Sequence, residues 1–228
     1  MDSGIEKLNI IAKMHSDFPT KFGIPRQSGV VESLRSTIIF EPEYRNPDTL
    51  RGLEDFSHIW IIWGFSEASN HSWSPTVRPP RLGGNSRLGV FATRSPFRPN
   101  PLGLSSVRVL EIENTFGNGM VIHVSGADLM DGSPIYDIKP YVPYADSHTD
   151  ATAGFVSQNG VSLLQVEIPD DLLDKVASDK RLALYGVLAQ DPRPAYHEDE
   201  KRVYGMEFAG MEIKFLVKDG ILAVFDII

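Results

Sequence analysis

The first 145 residues break into short β-like runs, and this limits the possible folds more than any other feature of the chain. Leu8–Ala12, Thr37–Phe40, His58–Phe65, Leu88–Ala92, Leu104–Glu113, Met120–Ser125 and Ser133–Lys139 are rich in Val, Ile, Trp and Phe, and Gly, Pro, Asn and Asp punctuate the gaps. Strands this short and this regularly spaced pack as a barrel or a sandwich. "ENTFGNGM" (Glu113 to Met120) reads as a hairpin turn with Ile112 and Ile122 in its flanking strands. "HIWIIWGF" does not alternate apolar with polar, which predicts a strand buried on both faces.

The pattern changes after an acidic, polar stretch from Asp146 to Asn159. Asp170 is placed to cap a short helix carrying Leu172, Leu173 and Val176, and a second helical pattern sets Leu182, Tyr185, Leu188 and Ala189 on one face until "DPRP" stops it. Glu212–Val217 and Ile221–Phe225 flank "KDG", a closing hairpin. The expected architecture is mainly β with a small α+β appendage, divided into residues 5–148 and 160–228.

Charge is distributed unevenly. Between Ala68 and Leu110 stand six arginines (Arg78, Arg81, Arg87, Arg94, Arg98 and Arg108), with no lysine and no acidic residue, in a protein whose net charge is -8. The window carries +6, and the remainder, with 16 Lys and Arg against 30 Asp and Glu, carries -14. Within it, "RPPRLGGNSRLGVFATRSPFRPNPLG" is braced by prolines, which fix φ, and relieved by glycines, which allow close approach. Guanidinium groups on such a frame suit carboxylates, phosphates or a nucleic-acid backbone. The alternative is a solvated loop whose arginines pair with the protein's own acids.

Three further segments hold polar chemistry. "DLMDGSPIYDIKPY" (Asp128 to Tyr141) combines an ordinary turn with a high density of Asp, Lys and Tyr, and its exposed backbone groups can read a purine edge. "AQDPRPAYHEDEKRVYG" offers Asp191, Arg193, Tyr196 and His197 within one turn-rich stretch, and "FGIPRQSGVV" brings Arg26 and Gln27 into an early polar loop. The six histidines show no H-x-H or H-x-x-x-H spacing, and glycine-rich nucleotide motifs and a G-x-S-x-G elbow are missing. Zero cysteines exclude disulfides and thiolate chemistry and fit a reducing cytosol. With no signal-peptide pattern, and no aliphatic or aromatic run longer than Ile59–Trp63, a soluble cytoplasmic protein is expected.

Taken together, "LRGLEDFSHIWIIW", "RPPRLGGNSRLGVFATRSPFRPNPLGLS", "DLMDGSPIYDIKPYVPYADS" and "LAQDPRPAY" resemble, in order, the TrmO (TsaA-like or YaeB-like) family of S-adenosylmethionine-dependent tRNA methyltransferases. The resemblance implies a β-barrel methyltransferase domain with a small C-terminal domain, working as a homodimer. It implies methylation of N6 of threonylcarbamoyladenosine beside the tRNA anticodon. The implied cofactor contacts are Arg26, Gln27, Ser66, Glu67, Arg94, Leu104, Asp131, Gly132, Ser133 and Pro134. Substrate contacts are expected from Arg78, Arg81, Arg87, Arg98, Asn100 and Arg193, with Asp191 or Tyr196 handling the proton or holding the threonyl group. Competing readings are a non-enzymatic RNA-binding module and a small-molecule methyltransferase on the same barrel.

Overall fold

The computed structural model describes residues 7–68, 73–79, 86–156, 163–194 and 199–228. Six strands, β1 (Ala12–His15), β2 (Arg35–Phe40), β3 (His58–Gly64), β6 (Leu102–Thr115), β7 (Gly119–Ser125) and β8 (Pro134–Pro140), form one sheet. They pair in the order β1-β2-β7-β6-β3-β8, and β8 returns to β1 through Ala12 opposite Ile135, so the sheet closes on itself. All these pairings are antiparallel. Closure leaves no open edge to template pairing with another chain. A separate ribbon of β4 (Thr76–Val77) and β5 (Leu88–Gly89) flanks the arginine-rich loop.

The sheet's interior is filled by residues of alternate positions. On β3, Ile59, Ile61 and Trp63 are buried, while Trp60 and Ile62 on the other face are half-buried, Trp60 beneath the ring of Tyr141 at 5.6 Å. The strand is therefore covered on both sides but sealed on one, which the unbroken apolar run overstates. The predicted hairpin forms, with Thr115 opposite Gly119 and Ile112 opposite Ile122. Two strand expectations shift. The first strand begins at Ala12 rather than Leu8, although the Ile11 amide already donates to Ile135. Leu88–Ala92 is a two-residue strand followed by a 3-10 turn, Val90–Ala92, because the short partner Thr76–Val77 offers no further ladder.

The second half builds its own core. β10 (Tyr204–Phe208), β11 (Met211–Lys218), β12 (Ile221–Ile227) and β9 (Gln165–Glu167) make a four-stranded sheet, order β10-β11-β12-β9, with β9 parallel to β12. Lys218 pairs with Ile221 around Asp219 and Gly220, both at positive φ, a geometry that Asp-Gly tolerates at a two-residue turn. Two short helices, α1 (Pro143–Asp146) and α2 (Asp170–Leu173), precede α3 (Ser178–Ala189). Asp170 is the first residue of α2 and Pro169 its cap. On α3 the buried stripe is Ala183, Leu184, Val187 and Leu188. Of the predicted face, Leu188 is buried and Tyr185 packs against the core, while Leu182 faces out; the stripe is rotated toward Ala183, Leu184 and Val187, which the sheet covers. No helix among the described residues is long and apolar enough to cross a membrane.

One excursion joins the halves. Between β1 and β2 the chain leaves the closed sheet, and Phe18, Val31 and Leu34 enter the core formed mostly by residues 168–227. Gly23, at φ +96, lies against Met206, where an added Cβ would stand 2.3 Å from the sulfur. At the other side Gly29 donates to the carbonyl of Gly126, and Gly126 to that of Leu34. Lys180 Nζ reaches both oxygens of Asp17, at 2.6 and 2.8 Å. Arg26 and Gln27 ride on the section between these clasps.

Candidate active site

The register of β3 against β6 builds the floor of a deep cavity. Trp63 lies opposite Gly103, and Ile61 opposite Ser105. The indole of Trp63 covers Gly103 so closely that a Cβ there would stand 2.2 Å from Cε2, which is why this position carries no side chain. Trp63 Nε1 donates to Ser105 Oγ at 3.0 Å, and Ser105 Oγ donates to Asp128 Oδ1 at 2.6 Å. Phe65 packs on Trp63 with ring centroids 4.3 Å apart. The floor is thus two aromatic rings and a chain of hydrogen bonds that ends on a carboxylate.

The wall is the proline-braced loop, which holds itself in shape. Ser74 donates its amide to Phe97, Val90 to Pro75, Phe65 to Pro101 and Leu102 to Asn100. Three of its arginines use uncharged acceptors. Arg87 Nε donates to Thr76 Oγ1 at 2.8 Å, Arg98 to the Thr93 carbonyl at 3.2 Å, and Arg94 to the side-chain oxygen of Gln27. Arg98 also lies 6.0 Å from the centroid of the exposed Phe91 ring. Arg94 and Arg98 thereby keep their charge available at the rim of the cavity, as the acid-free window leads one to expect.

The cavity, open to solvent on one side, has a volume of about 800 Å³, within the range of small-molecule sites. Of the expected cofactor residues, Arg26, Gln27, Ser66, Glu67, Arg94, Leu104 and Ser133 line it, together with Arg98 and Asn100 from the expected substrate side. Four separate stretches of sequence converge. The "DGSP" turn contributes through Ser133, while Asp131 turns away to accept from Ser16 and bond His15 at 2.8 Å. The amides of Asp131, Gly132 and Ser133 go to the carbonyls of Phe18, Met14 and Met130. Those three donors are thus spent within the chain and are not presented to a purine. Gly132 and Pro134 shape the turn without lining the cavity.

Other expected residues lie elsewhere. Asp191 takes the left-handed conformation at the end of α3, and both its oxygens accept from Arg193, at 2.8 and 2.9 Å. Neither residue lines the cavity, nor do Arg78 and Arg87, which directly flank the ribbon's two strands in sequence. Arg81 and Tyr196 lie outside the described residues. The sequence reading missed Trp63, Phe65, Ser105 and Asp128. Asp128 stands three residues before the "DGSP" aspartate, and only the strand register reveals that it faces Ser105. Burial pushes its carboxyl above the usual aspartate range, opposed by the Ser105 hydrogen bond and by the positive charge of Arg94.

A closed antiparallel sheet with a guanidinium-rimmed, aromatic-floored cavity at the ends of its strands is the frame of a small-molecule-binding or group-transfer protein. This chain belongs to the tRNA-methyltransferase O family. The model of that family's N-terminal domain matches residues 13–147, and that of its C-terminal domain residues 162–228. The chain is 40% identical over 223 residues to the tRNA (adenine(37)-N6)-methyltransferase of Escherichia coli K12, covering 94% of each. It is 44% identical over 170 residues to the tRNA (adenine(37)-N6)-methyltransferase of Eikenella corrodens, 74% of this chain and 95% of that one. The crystal structure of TrmO from Pseudomonas aeruginosa superposes with a TM-score of 0.76 at 31% identity, covering 98% of both chains.

Proposed function

We propose that this chain transfers the methyl group of S-adenosylmethionine to N6 of adenosine 37 in tRNA, and that the form it accepts carries a threonylcarbamoyl group on that nitrogen. The observation that carries the reading is the convergence of Arg26, Gln27, Ser66, Glu67, Arg94, Leu104 and Ser133 on one cavity, in a chain matched along its length by the family's two domains.

The residues present fit the cofactor. Its amino-acid tail needs a cation, and Arg94, steadied by Gln27, offers a planar fork beside Arg26. Its sulfonium needs surroundings that accept positive charge without attacking it, and the faces of Trp63 and Phe65 supply them. When bound, the cofactor provides an electrophilic methyl carbon. The chain's task is to hold N6 in line with that carbon, and positioning of this kind lowers a barrier by several kcal/mol or more. Because N6 shares its lone pair with the purine ring and the carbamoyl carbonyl, it is a poor nucleophile until its proton is drawn away, which calls for a base.

The closed sheet is read as the methyltransferase barrel, residues 5–148, and the four-stranded unit as a C-terminal domain, residues 160–228. Arg78, Arg81, Arg87, Arg98 and Asn100 meet the anticodon stem-loop. Of the two roles open to Asp191, holding the threonyl group with Arg193 suits a carboxylate already bound on both oxygens. Tyr196 is assigned to the same threonyl group, and the working form is a homodimer. The enzyme works in the cytoplasm. Mass spectrometry of tRNA nucleosides after incubation with labelled cofactor tests the reading: label appears on N6-methylated threonylcarbamoyladenosine, and unlabelled tRNA from both modified and unmodified substrate overturns it.

A further inference from the structure

The hydrogen bonds around Asp128 fix where a proton can go. An indole N–H only donates, so Ser105 Oγ must accept from Trp63, and its single hydrogen is committed to Asp128 Oδ1. Backbone amides of Ser28 and of Asp128 itself add further donors to the carboxylate. This frame holds Asp128 as an acceptor, with Oδ1 engaged by Ser105, and Oδ2 is the oxygen assigned to receive a proton. Lys21, Arg26, Arg94, Arg98 and Glu67 are the charged groups that line the same cavity. On its own turn, Asp131 is engaged with His15.

We propose that Asp128 is the general base that removes the N6 proton of the target adenosine, with Trp63 and Ser105 as its positioning residues. The assignment rests on the function proposed above. As the N6 lone pair forms the bond to the methyl carbon, the carbon–sulfur bond breaks with its electron pair left on sulfur, and the N6 proton passes to Oδ2 of Asp128. The product carboxylic acid then loses that proton to water through the open cavity. Asp191, whose oxygens Arg193 occupies, is not needed for this step. Because burial raises the carboxyl while the Ser105 hydroxyl lowers it, activity is lost as pH falls through a value above the ordinary aspartate range. Removing that hydroxyl moves the loss to higher pH.

Three measurements test this. Asp128→Asn keeps the shape, and we expect kcat to fall by about 10² to 10⁴-fold, with S-adenosylhomocysteine binding by calorimetry and the melting temperature close to wild type. In the free protein, a carbon-13 carboxyl resonance absent from D128N titrates above the usual range, and Ser105→Ala raises it by about one pH unit. The acidic limb of kcat moves by the same amount. The assignment falls if D128N keeps more than a tenth of kcat, if it loses only cofactor affinity, or if S105A shifts the resonance without shifting the rate. A wild type that leaves tRNA unmethylated overturns the proposed function itself. An active wild type with an active D128N overturns the base alone.

Discussion

Gly103→Ala probes the contact on which the cavity floor depends. The new Cβ would lie 2.2 Å from Trp63 Cε2 and 2.6 Å from both Cζ2 and Nε1, more than 1 Å inside ordinary van der Waals separation. The indole has little room to yield, since Phe65 packs on it and Ser105 holds Nε1 at 3.0 Å. Displacing it breaks that hydrogen bond, worth about 1 kcal/mol net, and forces repacking that costs about 1–3 kcal/mol. At about 2–4 °C per kcal/mol for a chain of this size, the melting temperature falls by on the order of 10 °C. Scanning calorimetry of wild type, G103A, W63L and the double variant measures this. In W63L the clash has no partner, so adding G103A costs almost nothing further. A G103A melting point within 1 °C of wild type, or full additivity in the double variant, would refute the packing argument.

Other outcomes follow from the same geometry. Arg94→Ala weakens S-adenosylmethionine binding by roughly tenfold to a hundredfold in calorimetry, because it removes a charge-assisted donor from the cavity wall. Binding of tRNA declines steeply between about 50 and 200 mM salt as counterions are no longer released to advantage, while cofactor binding stays nearly flat; equal salt dependence of the two contradicts the cationic rim. Asp17→Ala strands the ammonium of Lys180, largely shielded from water, and lowers stability by about 1–3 kcal/mol in urea unfolding, with both halves of the chain affected.

The features legible in the sequence are those carried by local chemistry. β-Branched runs bounded by Gly, Pro and Asn announced most of the closed sheet, and the acid-free arginine window announced a cationic wall because its composition alone keeps it from pairing with itself. The site's floor was not legible in the same way. Trp63 read as core, Ser105 as one small residue in a strand, and Asp128 as part of a turn. Only the β3–β6 register and the path after β7 bring the three within hydrogen-bond reach. The "DGSP" amides looked available because the sequence cannot show that Phe18 and Met14 turn their carbonyls toward them. The face of α3 was misjudged for a related reason: which of several leucines is buried depends on where a distant sheet lies.

The excursion between β1 and β2 makes the protein's two halves mutually dependent. Its middle presents Arg26 and Gln27 to the cavity, but its ends are seated in opposite lobes, at Gly29 against Gly126 and at Gly23 against Met206. Removing the residues after α1 would leave Phe18, Val31 and Leu34 without their apolar shelter and the arch that lines the cavity without its far abutment. The smaller lobe therefore buttresses one wall of the cavity, through residues such as Met206 that lie far downstream of the arch they support.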